Sequence, residues 1–224
     1  MAKIVGLDIG TRTIAGAVFD GNARRFRLSD FFVAEVPGIN GAAAAGEEMV
    51  PPASVEEVIQ KLLAERNLEG ADVVAAIDAK DCIIREIPVP FTKDEHIKKT
   101  ILSEAENHFQ TFDIEDVILE FFKVEEMGDK SRVLIAAVKK ATVRERLEVL
   151  KQAGVDPVAV DLDAAALFNA YALTPTFDPE RTTLLVDMGA TSTKVLLVEK
   201  GQLKKVRSIR MNSFFHSPSS SFCK

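Results

Sequence analysis

Two segments near opposite ends of the chain carry one pattern. The first is Val5-Gly6-Leu7-Asp8-Ile9-Gly10-Thr11-Arg12-Thr13-Ile14-Ala15-Gly16-Ala17-Val18. The second is Leu184-Leu185-Val186-Asp187-Met188-Gly189-Ala190-Thr191-Ser192-Thr193-Lys194-Val195-Leu196-Leu197-Val198. In each, an apolar run meets an Asp-x-Gly turn with hydroxyl residues, and a second apolar run follows. That reads as a β-hairpin whose tip bears a carboxylate, a glycine and several hydroxyls. The chemistry suits a metal-bound polyphosphate. Glycine lets backbone N–H groups approach phosphate oxygens, hydroxyls add neutral donors, and an Asp holds Mg²⁺ directly or through its waters. A lone Asp-x-Gly turn is ordinary, its Asp bonding its own backbone; the repetition argues for phosphate.

The residues expected at the site are therefore Asp8, Gly10, Thr11 and Thr13 from the first tip. From the second come Asp187, Gly189, Thr191, Ser192 and Thr193, with Asp8 and Asp187 as the metal carboxylates. Thr11 and Thr191 lead the hydroxyls, being nearest the glycine turns. Lys194 lies in the following strand, where a solvent-facing or salt-bridged role is expected over phosphate neutralisation. Asp161 and Asp163 frame the entry to a helix; one orients a Mg²⁺ water, or Asp163 simply caps the helix. No catalytic residue is assigned. His96, His108 and His216 share no ligand spacing. Paired hairpins of this kind look like the phosphate loops of the actin, Hsp70 and sugar-kinase superfamily.

The rest of the composition narrows the class. At 47% hydrophobic and 28% charged, 224 residues allow a sizeable core in one large or two smaller domains. The net charge is −6, and Lys139-Lys140 and Lys204-Lys205 are isolated pairs, so no nucleic-acid footprint is expected. Cys82 and Cys223 form no metal motif, consistent with a reduced, cytosolic chain. Asp8 interrupts the first apolar stretch, which excludes a signal-peptide reading, and no apolar run reaches the ~18 residues of a membrane span. Any membrane role then comes through a partner rather than direct insertion.

Between the hairpins the pattern is α/β with mixed sheets. Phe26 to Val36 adds a third strand, and Gly41 to Pro52 reads as a mobile loop. Ser54 and Glu57 form a capping box for a helix with Val55, Val58, Ile59, Leu62 and Leu63 on one face. Asp72 to Ile77 is a short buried strand. A second unit follows: a strand at Ile83–Pro90, a helix from about Lys93 to Phe109 behind a Thr92–Glu95 capping box, and a hairpin of Val117–Val124 with Arg132–Lys139 across Gly128-Asp129. Thr142 is expected to cap a helix from Val143 to Ala153 that Gly154 ends. Val158–Leu162 reads as a buried strand and Ala164–Ala172 as a small-residue helix. Phe109, Phe112, Phe121 and Phe122 are expected in the core, with a groove beside them open to a partner peptide.

These segments resemble one branch of that superfamily, the type IV pilus assembly protein PilM, a relative of the cell-division protein FtsA. The carriers are Gly6-Leu7-Asp8-Ile9-Gly10, Ile84-Arg85-Glu86-Ile87-Pro88, Val133-Leu134-Ile135-Ala136-Ala137-Val138, Gln152-Ala153-Gly154-Val155, Val160-Asp161-Leu162-Asp163-Ala164-Ala165-Ala166 and the second Asp-x-Gly-Ala-Thr loop. The resemblance implies an actin-like ATPase (ribonuclease H-like) fold with an inserted small α+β subdomain. The implied divisions are an N-terminal subdomain at 1–80, the insert at 81–155, a linking strand, helix and second hairpin at 156–210, and a disordered or aberrant tail at 211–224. It implies ATP and Mg²⁺ as cofactors and a cytoplasmic place at the inner membrane. The implied partner is the cytoplasmic tail of a PilN-like single-span inner-membrane protein, alongside the protein itself or other pilus components. A small-molecule kinase and an FtsA-like division filament are the alternative functions. Because relatives continue with a further subdomain that holds the adenosine, the serine-rich end is expected to mark a truncated second half, weakening ATP binding.

Overall fold

A period of two sets the first strand: Val5, Leu7 and Ile9 are buried while Gly6 and Asp8 face the other way. The computed structural model describes residues 2–22, 24–37, 53–106 and 113–210. In chain order the strands and helices are β1 (Lys3–Ile9), β2 (Thr13–Asn22), β3 (Arg25–Glu35), α1 (Val55–Ala64), β4 (Asp72–Ile77), β5 (Cys82–Val89) and α2 (Asp94–Glu106). They continue as β6 (Val117–Met127), β7 (Lys130–Lys139), α3 (Lys140–Gln152), β8 (Ala159–Leu162), α4 (Asp163–Ala172), β9 (Thr183–Met188), β10 (Ser192–Glu199) and β11 (Gln202–Arg210).

Three sheets result. The first runs β3-β2-β1-β4-β8, the second β5-β7-β6 and the third β11-β10-β9. Strands β1, β2 and β3 form an antiparallel meander, whereas β4 lies parallel to β1 and β8 parallel to β4. This is the expected actin-like α/β architecture with mixed sheets.

Helix α1 begins with the expected capping box: the Ser54 hydroxyl accepts from the Glu57 N–H, and Glu57 accepts from the Ser54 N–H. Its Ile59 and Leu63 close over Val5, Leu7, Val18 and Val73. Leu150, Ala153 and Val155 enter that same core. Helix α3, expected at the end of the insert, thus packs on the first sheet. It starts at Lys140, behind Lys139, with no side-chain cap, so Thr142 is not its cap. Gly154 ends it as expected, in the left-handed region at φ 76°. The second sheet makes its own core with α2 through Ile87, Ile97, Ile101, Val133 and Ile135, which Phe121 joins from its edge.

A third core joins the sheets. Ala79, Val124, Leu134, Ala164, Leu196, Leu203 and Val206 meet where a 3₁₀ turn at Ala79–Asp81, α4 and β10 converge. Alanine at 79 and 164 lets these elements approach closely. Strand β8 differs from expectation. It is the last strand of its sheet and half-exposed, with Val158 just before it 63% exposed. Strand β9 is likewise terminal, and Leu184, Val186 and Met188 on one of its faces are exposed. The expected loop at Gly41–Pro52, Phe109 and Phe112 lie outside the described residues.

Candidate functional site: two hairpin tips around a charged hub

The two tips fold alike. Gly10 donates its N–H to the Thr13 carbonyl at 2.9 Å, and Gly189 donates to the Ser192 carbonyl at 2.9 Å. A Cβ on Gly10 would stand 3.1 Å from Thr13 O, and one on Gly189 3.0 Å from Ser192 O. Both glycines are there for a tight turn, and their own N–H groups are spent inside it. Donors to a ligand must come from the following residues.

The tips also meet. The Thr11 and Thr191 hydroxyls are 3.1 Å apart, one donating to the other. Asp8 also feels the negative charge of Asp187, the weakest of the influences on its carboxyl. Asp8, Gly10, Thr11 and Thr13 therefore lie on one tip and Asp187, Gly189, Thr191, Ser192 and Thr193 on another, and the two tips touch through Thr11 and Thr191. Asp8 stays open to solvent, yet the protein crowded around it strips hydration and raises its pKa; Lys194 and Arg146 pull the other way. Beside Asp8 the uncovered face of the first sheet forms an apolar hollow of about 390 Å³, lined by Gly6, Ala15, Ala17, Phe31, Val33 and Val74 among others. Its polar groups are confined to Asp8 and Asp161.

The hairpins differ in charge at the position across from each tip carboxylate. In the first, Asp8 stands opposite Ala15; in the second, Asp187 stands opposite Lys194. Lys194 is 8% exposed. Its ammonium bridges Asp163 at 2.5 Å and Asp187 at 3.0 Å, the salt-bridged role expected for it. Burial works against its charge, but the two carboxylates more than offset this and raise its pKa.

Asp163 is the first residue of α4 and makes no cap there; Leu162 holds the cap position. Its other oxygen accepts the Ala79 N–H at 2.9 Å. One carboxylate thus ties the 3₁₀ turn to β10. Asp78 caps that turn through the Lys80 N–H, and the Lys80 ammonium bridges Asp78 at 2.9 Å and Asp81 at 3.0 Å. Burial raises the Asp78 pKa, but the bonds from Lys80 prevail and leave it lowered. Arg146, reaching in from α3, feels Asp8, Asp81 and Asp78, while burial lowers its pKa. Asp78, Lys80, Asp81 and Arg146 were not expected at the site. Asp-Ala-Lys-Asp reads as a turn, and nothing in the pattern of α3 singles out one arginine. Asp161 donates nothing to the tips; its carboxylate accepts the Leu162 N–H at 2.7 Å.

The hydroxyls of the two tips fit a polyphosphate, and the carboxylates beside them would need a cation between them and the phosphate. For Mg²⁺ the fit is conditional: Asp8 presents a carboxylate, but one oxygen of Asp187 is already on Lys194. Among the described residues, no group of three or more His, Cys, Asp or Glu is gathered as a metal site.

A second concavity, about 180 Å³, lies between the first two sheets. Ile77, Val160, Asp161 and Leu162 form one wall, Cys82, Ile118, Glu120, Ala136 and Val138 the other, with Val143 of α3 beside them. Phe122 extends the second wall on the same face of β6, 42% exposed. Phe121 points to the opposite, buried side.

Comparisons with known proteins agree with this architecture. The family model described as type IV pilus assembly protein PilM matches residues 6–209. The chain is similar to a structure of a PilM-PilN type IV pilus biogenesis complex, at 28% identity and a TM-score of 0.72 over 92% of this chain. It spans 61% of the length of that chain. It also shares its fold with the cytoplasmic domain of EpsL, an inner-membrane component of the type II secretion system of Vibrio cholerae. There the identity is 13% and the TM-score 0.57, over 93% of this chain and 71% of that one.

Proposed function

The chain belongs to the PilM family of type IV pilus assembly proteins, and on that premise we propose that it is a nucleotide-binding scaffold that docks the tail of a membrane partner. One observation carries the reading: the family match runs through both hairpins and everything between them, residues 6–209.

The nucleotide is ATP with Mg²⁺. Thr11, Thr13, Thr191, Ser192 and Thr193, with the N–H groups after Gly10 and Gly189, receive the phosphates. Asp8 and Asp187 meet the waters of the ion. The ion supplies charge neutralisation; the protein supplies position.

The partner is a PilN-like single-span inner-membrane protein. Its cytoplasmic tail, in extended form, lies in the groove between the first two sheets. Two features support this. The outer edge of β8 has no strand beside it among the described residues, so a peptide can add there by main-chain pairing. The walls at Val160, Ile118, Ala136 and Val138 offer apolar pockets for alternate side chains. No helix among the described residues is long and apolar enough to cross a membrane. In this reading the protein works on the cytoplasmic side and meets the inner membrane through this partner.

The test is a pull-down of the chain with tail peptides of the single-span proteins encoded beside it. The expected result is capture of one tail, lost in Ala136→Arg and retained in Thr191→Val. Capture of no tail, with phosphate transferred from ATP to a soluble small molecule, would replace the scaffold by a kinase.

A further inference from the structure

Lys194 places a buried cation in the second hairpin that the first hairpin lacks at the matching position. It stands where the first hairpin has Ala15, directly across from a site carboxylate. Its ammonium is enclosed between Asp163 and Asp187, and Asp8 and Asp78 add their negative fields to the same region. Among the described residues, two of its three N–H donors are spent on carboxylates.

This arrangement bears on how a cation reaches the cleft. A divalent ion is drawn to a cluster of carboxylates by their uncompensated charge and held by several oxygens at once. Here the deepest of those carboxylates, Asp163, is 10% exposed and engaged on both oxygens, by Lys194 and by Ala79. Asp187 keeps one oxygen outside the lysine bridge. With an ammonium fixed about one ion-pair distance away, a doubly charged ion approaching Asp187 meets repulsion that phosphate oxygens would offset.

We propose that Lys194 is the resident cation of the cleft: by neutralising Asp163 and Asp187 it keeps a divalent ion out until phosphate brings one in. The proposal deepens the nucleotide reading of the cleft and rests on it. It assigns Lys194 as a positioning residue for Asp187 and makes the order of ligand entry a property of this hairpin.

Mn²⁺ alone tests it, without nucleotide, by electron paramagnetic resonance titration of the whole chain. The wild type is expected to show no Mn²⁺ binding that depends on Asp187. Lys194→Gln is expected to gain a site about tenfold tighter or more, the scale expected when one unit charge a few ångströms away is removed. Adding Asp187→Asn to that variant should remove the gained site, and Lys194→Arg, which keeps the charge, should gain none. Binding of Mn²⁺ by the wild type that Asp187→Asn abolishes would overturn the proposal, as would no gain in folded Lys194→Gln. If Lys194→Gln does not fold, Asp163→Asn with Lys194→Gln removes a buried charge together with its partner and is read by the same criteria. Failure of that pair to fold would assign Lys194 to the fold alone and end the proposal. Because no nucleotide is present, these outcomes are separate from failure of ATP binding, which calorimetric titration with Mg-ATP reports.

Discussion

Thr11 and Thr191, 180 positions apart in sequence, share a hydrogen bond of 3.1 Å between their hydroxyls. The contact brings the tips of the two hairpins together. Cysteines at both positions should be within bonding reach. In a background of Cys82→Ser and Cys223→Ser, oxidation of Thr11→Cys, Thr191→Cys should give an intramolecular disulfide. Intact mass before and after reduction, with the linked peptides after digestion, would show it. A chain that stays reduced, or cross-links only between molecules, would mean the tips do not converge.

Asp163 and Asp187 hold the same ammonium but differ in burial. The Asp163 side chain is 10% exposed and that of Asp187 44%. Asp163→Ala strands Lys194 and the Ala79 N–H together and should cost about 3 kcal/mol or more in urea unfolding. Asp187→Ala leaves its charge-pair loss largely solvated and should cost under about 1 kcal/mol. Equal losses would show that Asp163 is not the tie between the sheets.

Asp8 carries a cost to the fold. Burial lifts its pKa above the ordinary carboxylate value despite Lys194 and Arg146. A raised folded-state value means that the charged form weakens the fold. Asp8→Asn should therefore stabilise the chain near neutrality while weakening Mg-ATP binding. The gain should be full above the folded pKa, shrink as pH falls through it, and vanish below the ordinary value. Thermal unfolding of both chains across that range checks the sign; a destabilised variant at neutral pH would contradict it.

Cys82 is a thiol placed to stay inert. Burial pushes its pKa up to about 12, and Asp163, Asp81 and Asp78 add to the shift. Its Sγ–H points to the Asp78 carbonyl at 3.7 Å. Iodoacetamide at mildly alkaline pH should label Cys82 slowly in the folded chain and rapidly in urea, as peptide mass spectrometry would show. Equal rates would mean the hub around it is open.

Gly16 is required by packing rather than by its backbone. A Cβ there would stand 2.1 Å from the ring of Phe32, which packs against β2 from β3. Gly16→Ala should lose about 1–3 kcal/mol, since the ring must move out of a filled core. Gly6→Ala, whose added carbon meets nothing within 4 Å, is the control.

What the sequence made legible was what repeats locally. The Asp-x-Gly tips, the Ser54–Glu57 cap and the strand at Asp72–Ile77 each rest on a pattern a few residues long, and each appears as read. The edge position of β8 was not legible, because Val158-Ala159-Val160 has the composition of a buried strand and only the sheet order exposes it. Strand β11 was missed. Its one local signal is the Lys200-Gly201 turn, where both residues have positive φ, at 51° and 68°, as a tight hairpin demands. The charged hub was legible only in its parts, with Lys194 expected in a salt bridge and Asp163 at a helix entry. Asp78, Lys80, Arg146, Asp163 and Lys194 come from four stretches of chain, and only the fold gathers them. The Thr142 cap failed because a hydroxyl near a helix start is a weak signal when the strand before it runs straight into the helix.

The bare face of β9 has a consequence for handling the chain. Leu184, Val186 and Met188 lie in a row on a terminal strand, with exposures of 62%, 56% and 79%. An apolar row beside main-chain groups that no further strand pairs among the described residues is a template for another molecule's strand. The net charge of −6 opposes such meetings at low ionic strength. Added sulfate both screens that repulsion and strengthens apolar burial. This strand of six residues then adds to the salt sensitivity of the chain, and the purified protein should precipitate from concentrated sulfate while still fully folded.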